Sequence, residues 1–117
     1  MPQFIASYDL KVAKPDPHDN FLTNAMEHGW YPWILDDDDT LFTLPNTTLE
    51  GSFVDQMQAL AALNAARAQT EKELGIRITM EKWIVAQYVV DPAFDSNEKE
   101  KARNSPGDTS LSIQAGD

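Results

Sequence analysis

The sequence predicts an α+β fold: a two-layer, ferredoxin-like β-α-β-β-α-β sandwich followed by a C-terminal tail expected to be mostly flexible. Three observations predict it. Period-2 alternation opens the chain over Gln3 to Leu10. Two segments with helical spacing each stop at a glycine, Gly29 and Gly75. Stretches rich in aromatic and β-branched residues lie between and after them. Apolar density falls from Asp91 onward, which divides the chain into a body, residues 1–90, and a polar tail, residues 91–117.

Each element has a local reason. In the first strand Phe4, Ala6, Tyr8 and Leu10 alternate with Ile5, Ser7 and Asp9, so one face is the more apolar. Lys14-Pro15-Asp16-Pro17 forbids regular structure. Asp19 is placed to cap a helix over about 20–27, with Phe21, Leu22, Ala25 and Met26 on one side. Trp30 to Leu35 reads as a short aromatic strand that Pro32 sends to an edge. Asp36 to Asp39 turns the chain, and Thr40 to Leu44 returns, resuming after Pro45 through Thr47 to Leu49. Ser52 and Asp55 resemble a capping pair for a long helix from Phe53 to about Leu74. Its expected packing stripe is Val54, Met57, Leu60, Ala61, Ala65 and Ala68. Ile76 to Val90 is β-rich, with a bend or bulge expected near Glu81 and Lys82. In the tail, Ser110-Leu111-Ser112-Ile113 alternates as a short strand would.

Composition narrows the function. The chain has 117 residues, enough for one domain that buries a sizeable core. Without cysteine there are no disulfides, thiolate zinc sites or cysteine nucleophiles. No secretory signal and no run of about 18 apolar residues is visible, so a cytoplasmic protein without membrane contact is expected. Nineteen acids against nine bases give a net charge of −10, which opposes binding of nucleic acid by the whole surface. Nucleic acid would then need a local basic patch or a bridging cation.

The predicted architecture leaves one sheet face without helices. Ile5, Ser7 and Asp9 share it, and the expected bend leaves open whether Trp83 and Val85 join them. An apolar face of this kind is usually covered by a second copy of the chain, so a homodimer is expected. Asp9 ends the first strand on that face. One carboxylate is a poor metal site, but a two-fold axis through the face would bring two Asp9 side chains together. Such a pair can hold Mg²⁺ or Mn²⁺, which neutralises a phosphodiester and activates water. The plainer role for Asp9 is to accept backbone hydrogen bonds where the strand ends. Lys11, Lys14 and Lys82 are the phosphate contacts available on that side.

The segment Phe4-Ile5-Ala6-Ser7-Tyr8-Asp9-Leu10 resembles the first strand of the small CRISPR-associated nuclease superfamily. That superfamily comprises the second Cas protein and its non-CRISPR relatives, some found in toxin–antitoxin systems. The resemblance implies a ferredoxin-like homodimer over about residues 3–90 and a metal-dependent endoribonuclease acting on RNA. It gives Asp9 the catalytic, metal-binding role at the dimer interface, with Tyr8 as its neighbour in the binding site.

Other candidates have plainer readings. Asp36, Asp37, Asp38 and Asp39 form an acidic patch without the alternation and glycine of a calcium loop, so a solvated hairpin turn is the first expectation. His18 and His28 fit no zinc spacing. Trp30, Tyr31 and Trp33 either stack bases or cover a core. No phosphate loop or catalytic-triad signature is present. The alternative to an endoribonuclease is a non-catalytic, antitoxin-like or nucleic-acid-mimicking module whose negative surface binds a basic protein.

Overall fold

The computed structural model describes residues 1–102. Their order is β1 (Gln3–Leu10), α1 (His18–Glu27), β2 (Trp30–Tyr31), β3 (Trp33–Leu35), β4 (Thr40–Thr43), β5 (Thr48–Ser52), α2 (Gln56–Leu74), β6 (Met80–Tyr88) and β7 (Lys99–Lys101). The α+β class expected from the sequence holds. The strands, however, form two antiparallel sheets, one ordered β2-β5-β1-β6 and the other β3-β4-β7.

The alternation of β1 decides the layering. Phe4, Ala6, Tyr8 and Leu10 are all buried, in one cluster with Phe21 and Ala25 of α1 and Ala59, Leu63 and Ala66 of α2. Both helices therefore cover the same face of the four-stranded sheet. Trp30 and Leu49 complete this core, and Phe53 packs against Trp30 with ring centroids 4.8 Å apart. Between the helices lies a polar clasp, in which the Nδ2 of buried Asn24 donates to Thr70 Oγ1 and Glu73 Oε1, both at 2.9 Å.

Helix ends follow local chemistry. Pro17 occupies the N-cap of α1 without a side-chain bond, while Asp16 just upstream accepts from the His18 amide. Asp19, expected to cap, sits inside the first turn. Asp55 is itself the N-cap of α2 and accepts from the Gln58 amide at 2.9 Å, so Ser52 takes no part. Gly75 closes that helix in the left-handed conformation, as its position predicts.

The buried stripe of α2 is Ala59, Leu63, Ala66 and Thr70, not the one expected. Val54 and Met57 are exposed. Alanines at 59, 61, 62, 65, 66 and 68 spread over about half of the circumference, so they do not by themselves mark the narrower buried stripe.

Prolines switch the chain between sheets. Pro32 splits the expected aromatic strand: Trp30 and Tyr31 pair with β5, whereas Trp33 to Leu35 pair with β4. Pro45 does the same between β4 and β5. The stretch from Asp91 returns over this hairpin, where Phe94 meets Phe42 edge-on at 5.1 Å, Lys99 lies over the Phe42 ring, and β7 pairs with β4. The alternating Ser110 to Ile113 segment lies outside the described residues. Among the described residues, no helix is long and apolar enough to cross a membrane.

Candidate functional site

The face of the first sheet opposite the helices carries Gln3, Ile5, Ser7 and Asp9 from β1. Register adds Thr48, Glu50 and Ser52 from β5, and Lys82, Ile84, Ala86 and Tyr88 from β6. Trp83 and Val85 are not on it: they stand opposite Tyr8 and Ala6, on the helix side. The expected bulge decides this. Leu10 pairs with Met80 and Asp9 with Lys82, so Glu81 is the extra residue that resets the parity of β6.

The chain itself roofs one end of this face. Ile34, Leu35, Asp36 and Asp37 of the β3–β4 hairpin, with Asp91, Pro92 and Phe94, line a cleft of about 470 Å³ together with Gln3, Glu50, Ser52 and Tyr88. There Tyr88 Oη donates to Glu50 Oε2 at 2.7 Å. Burial holds the Glu50 carboxyl above the usual carboxylate range, and the Tyr88 bond offsets part of that. The Tyr88 phenol is raised by burial and by Glu50 beside it. This pair joins positions in separate strands, and no local sequence signal links them.

A pH effect follows. A folded-state pKa raised above the unfolded value contributes stability that is fully present below the unfolded pKa and lost as pH rises through the folded one. Glu50→Gln keeps an oxygen for Tyr88 and removes the buried charge. Its melting temperature relative to wild type is expected to be higher at pH 7 than at pH 4. An identical difference at both pH values would show that Glu50 carries no such penalty.

The other end of the face is open. Ser7, Tyr8, Asp9, Lys82, Trp83 and Ile84 border a shallow depression of about 190 Å³. Asp9 is exposed and Lys82 is its direct cross-strand partner. Lys11 is exposed just beyond, with its amide donating to the Thr79 carbonyl at 2.8 Å, and Lys14 is exposed in the following loop. Tyr8 borders the depression but is otherwise turned inward. It points into the core, 5% exposed, against Phe21 with centroids 4.9 Å apart, and burial pushes its phenol up to about 12. The alternation that exposes Asp9 is what buries the Tyr8 side chain, so of these two predicted site residues only Asp9 is exposed to solvent.

The acidic patch is a hairpin turn between β3 and β4. Asp36 Oδ1 accepts from the amides of Asp38 and Thr40, both at 2.9 Å, and Asp39 adopts a left-handed φ of 60°. Lys101 Nζ donates to the Asp38 carbonyl. Asp37, Asp38 and Asp39 remain exposed. Among the described residues, no three Asp, Glu or His side chains converge as a metal site would require. His18 pairs with Asp16 at 2.7 Å and His28 with Gln69 at 3.1 Å, both exposed. The aromatic trio divides: Trp30 goes to the core, and Tyr31 and Trp33 stack on each other at 5.6 Å.

The chain matches no family model, no curated protein and no solved structure.

Proposed function

We propose that this chain is a ferredoxin-like domain that pairs with a second copy through the open end of its sheet and acts as a Mg²⁺- or Mn²⁺-dependent endoribonuclease. The order β2-β5-β1-β6 supports the fold reading: it is a split-βαβ sheet with the β3-β4 hairpin inserted between its second and third strands. The single observation that carries the site is the exposed Asp9 carboxylate at the open end of the helix-free face, beside exposed Ile84. One protomer supplies one carboxylate there, so the second oxygen donor comes from the Asp9 of the other copy. The cation neutralises the phosphodiester and makes bound water more acidic. Lys82, Lys11 and Lys14 hold the flanking phosphates.

The test is cleavage of single-stranded RNA with Mg²⁺ or Mn²⁺ by wild type and Asp9→Ala, with mass measured by light scattering. Wild type is expected to be dimeric and active. The variant is expected to lose on the order of 100-fold in rate, the scale of removing one charge-stabilising group. Equal rates, or a monomeric wild type, would remove the proposed site.

A second reading is favoured by the net charge of −10 and by three exposed carboxylates on a hydrogen-bonded turn. In it the chain is an acidic, non-catalytic module that binds a basic protein. Replacing Asp37, Asp38 and Asp39 by asparagine, with Asp36 kept for the turn, is then expected to weaken binding of an oligolysine peptide at low salt. Long-range attraction falls with ionic strength, so the variant and wild type should converge at 0.5 M salt. An affinity indifferent to both changes excludes the electrostatic form of this reading.

A further inference from the structure

A second cleft, of about 520 Å³, lies on the helix side of the edge strand β6 and uses neither Asp9 nor the acidic turn. Asn64, Arg67 and Glu71 of α2, Arg77 and Thr79 of the connection to β6, and Trp83 of β6 all line it. Both arginines among the described residues are here. In a chain this acidic, such convergence creates a local cationic site, since the lining holds two arginines and one carboxylate, Glu71.

The geometry leaves both guanidinium groups usable. Glu71 Oε2 accepts from Arg67 Nη1 at 3.3 Å and from the Ile78 amide at 2.8 Å. That carboxylate therefore ties the connecting segment to α2 and orients Arg67, whose other N–H groups remain to donate. Among the described residues, Arg77 is exposed and has no carboxylate within ion-pair distance. Trp83 is 49% exposed, although its cross-strand neighbour Tyr8 is buried. A half-exposed tryptophan beside two arginines offers a stacking surface next to an anion site. The volume lies within the range of small-ligand pockets.

We propose that this cleft binds a nucleotide unit, with the phosphate held by Arg67 and Arg77 and the base stacked on Trp83. Asn64, one helical turn before Arg67, presents an amide able to both donate to and accept from a base edge. The same unit can come from a free nucleoside monophosphate or from a residue of a single strand. Adenosine monophosphate and an adenylate hexamer distinguish the two sources.

The test is titration of the ¹⁵N-labelled protein by nuclear magnetic resonance with adenosine monophosphate, adenosine, inorganic phosphate and the hexamer. Adenosine monophosphate is expected to shift the Arg77–Trp83 amides and the Trp83 indole N–H saturably, with affinity falling as salt rises. Arg77→Gln and Trp83→Leu are each expected to weaken it at least about tenfold. Both side chains are exposed and bear no part of the Glu71 clasp, so their dispersed spectra should persist. A hexamer at least tenfold tighter than the mononucleotide marks a strand as the source, and equal affinities mark the free nucleotide. The proposal is overturned if adenosine monophosphate shifts none of these signals, if inorganic phosphate matches its affinity, or if both variants bind as wild type does. Trp83 also borders the Asp9 depression, so the Arg77→Gln arm, at a residue outside it, is what keeps this test distinct from the cleavage assay.

Discussion

Trp30→Ala is expected to lower the free energy of unfolding by about 4 kcal/mol, the scale for emptying a large aromatic site in a core. Trp30 is fully buried, leans on Phe53, and donates its indole N–H to the Ala59 carbonyl of α2 at 3.1 Å. It thus joins the edge strand β2 to the first turns of α2, where alanines at 59 and 62 supply little bulk of their own. Surrounding backbone cannot collapse into the void, because β2 is held by β5 and α2 by its contacts with α1. Trp30→Phe keeps the ring contact and loses the hydrogen bond and part of the volume, so roughly half that cost is expected. Urea unfolding followed by far-ultraviolet circular dichroism measures both. A loss under about 1 kcal/mol for Trp30→Ala, the scale of an ordinary surface change, would mean that Trp30 is not a core residue.

Gly51→Ala is expected to cost about 3 kcal/mol, at the upper end for overpacking. Gly51 sits in β5 between Phe4 and Trp30, under the Phe53 ring. A Cβ there would lie 2.4 Å from the Gly29 carbonyl oxygen and 2.7 Å from the Phe53 ring. The ring can tilt, but the carbonyl belongs to the backbone where α1 ends. For a domain of this size such a loss lowers the melting temperature by on the order of 15 °C. Gly75→Ala is the control. Its Cβ would meet nothing within 4 Å, so only the left-handed φ of 68° is strained, at a cost of about 1 kcal/mol. If the two variants melt together, the close approach at Gly51 is not what the structure describes.

Several features of the candidate site were legible because they depend on neighbours in sequence. Alternation over β1 separates Asp9 from Phe4, Ala6, Tyr8 and Leu10, so its exposure follows from the strand alone. The same parity already excluded Tyr8 from that face, and only the family resemblance placed it in the site. The bulge at Glu81 was foreseeable, but its effect on Trp83 was not, since parity after a bulge depends on which residue the partner strand skips. The Arg67–Arg77–Trp83 cleft had no signature. Its residues meet because Glu71 holds the connection to β6 against α2, a contact that periodicity does not encode.

The α+β class, the two helices with their glycine stops, the apolar face of β1 and the strong negative charge were readable from the chain itself, whereas the six elements expected became nine among the described residues. The readable features rest on backbone sterics, side-chain period and composition, which need no tertiary partner. Tertiary structure alone decided that Pro32 and Pro45 pass the chain into a second sheet, and which of α2's alanine-lined faces is buried. It also decided that Asp91, Pro92 and Phe94 return to roof one end of the helix-free face. Those outcomes depend on which surfaces find complementary partners once the layers assemble, and local sequence leaves several such pairings equally open.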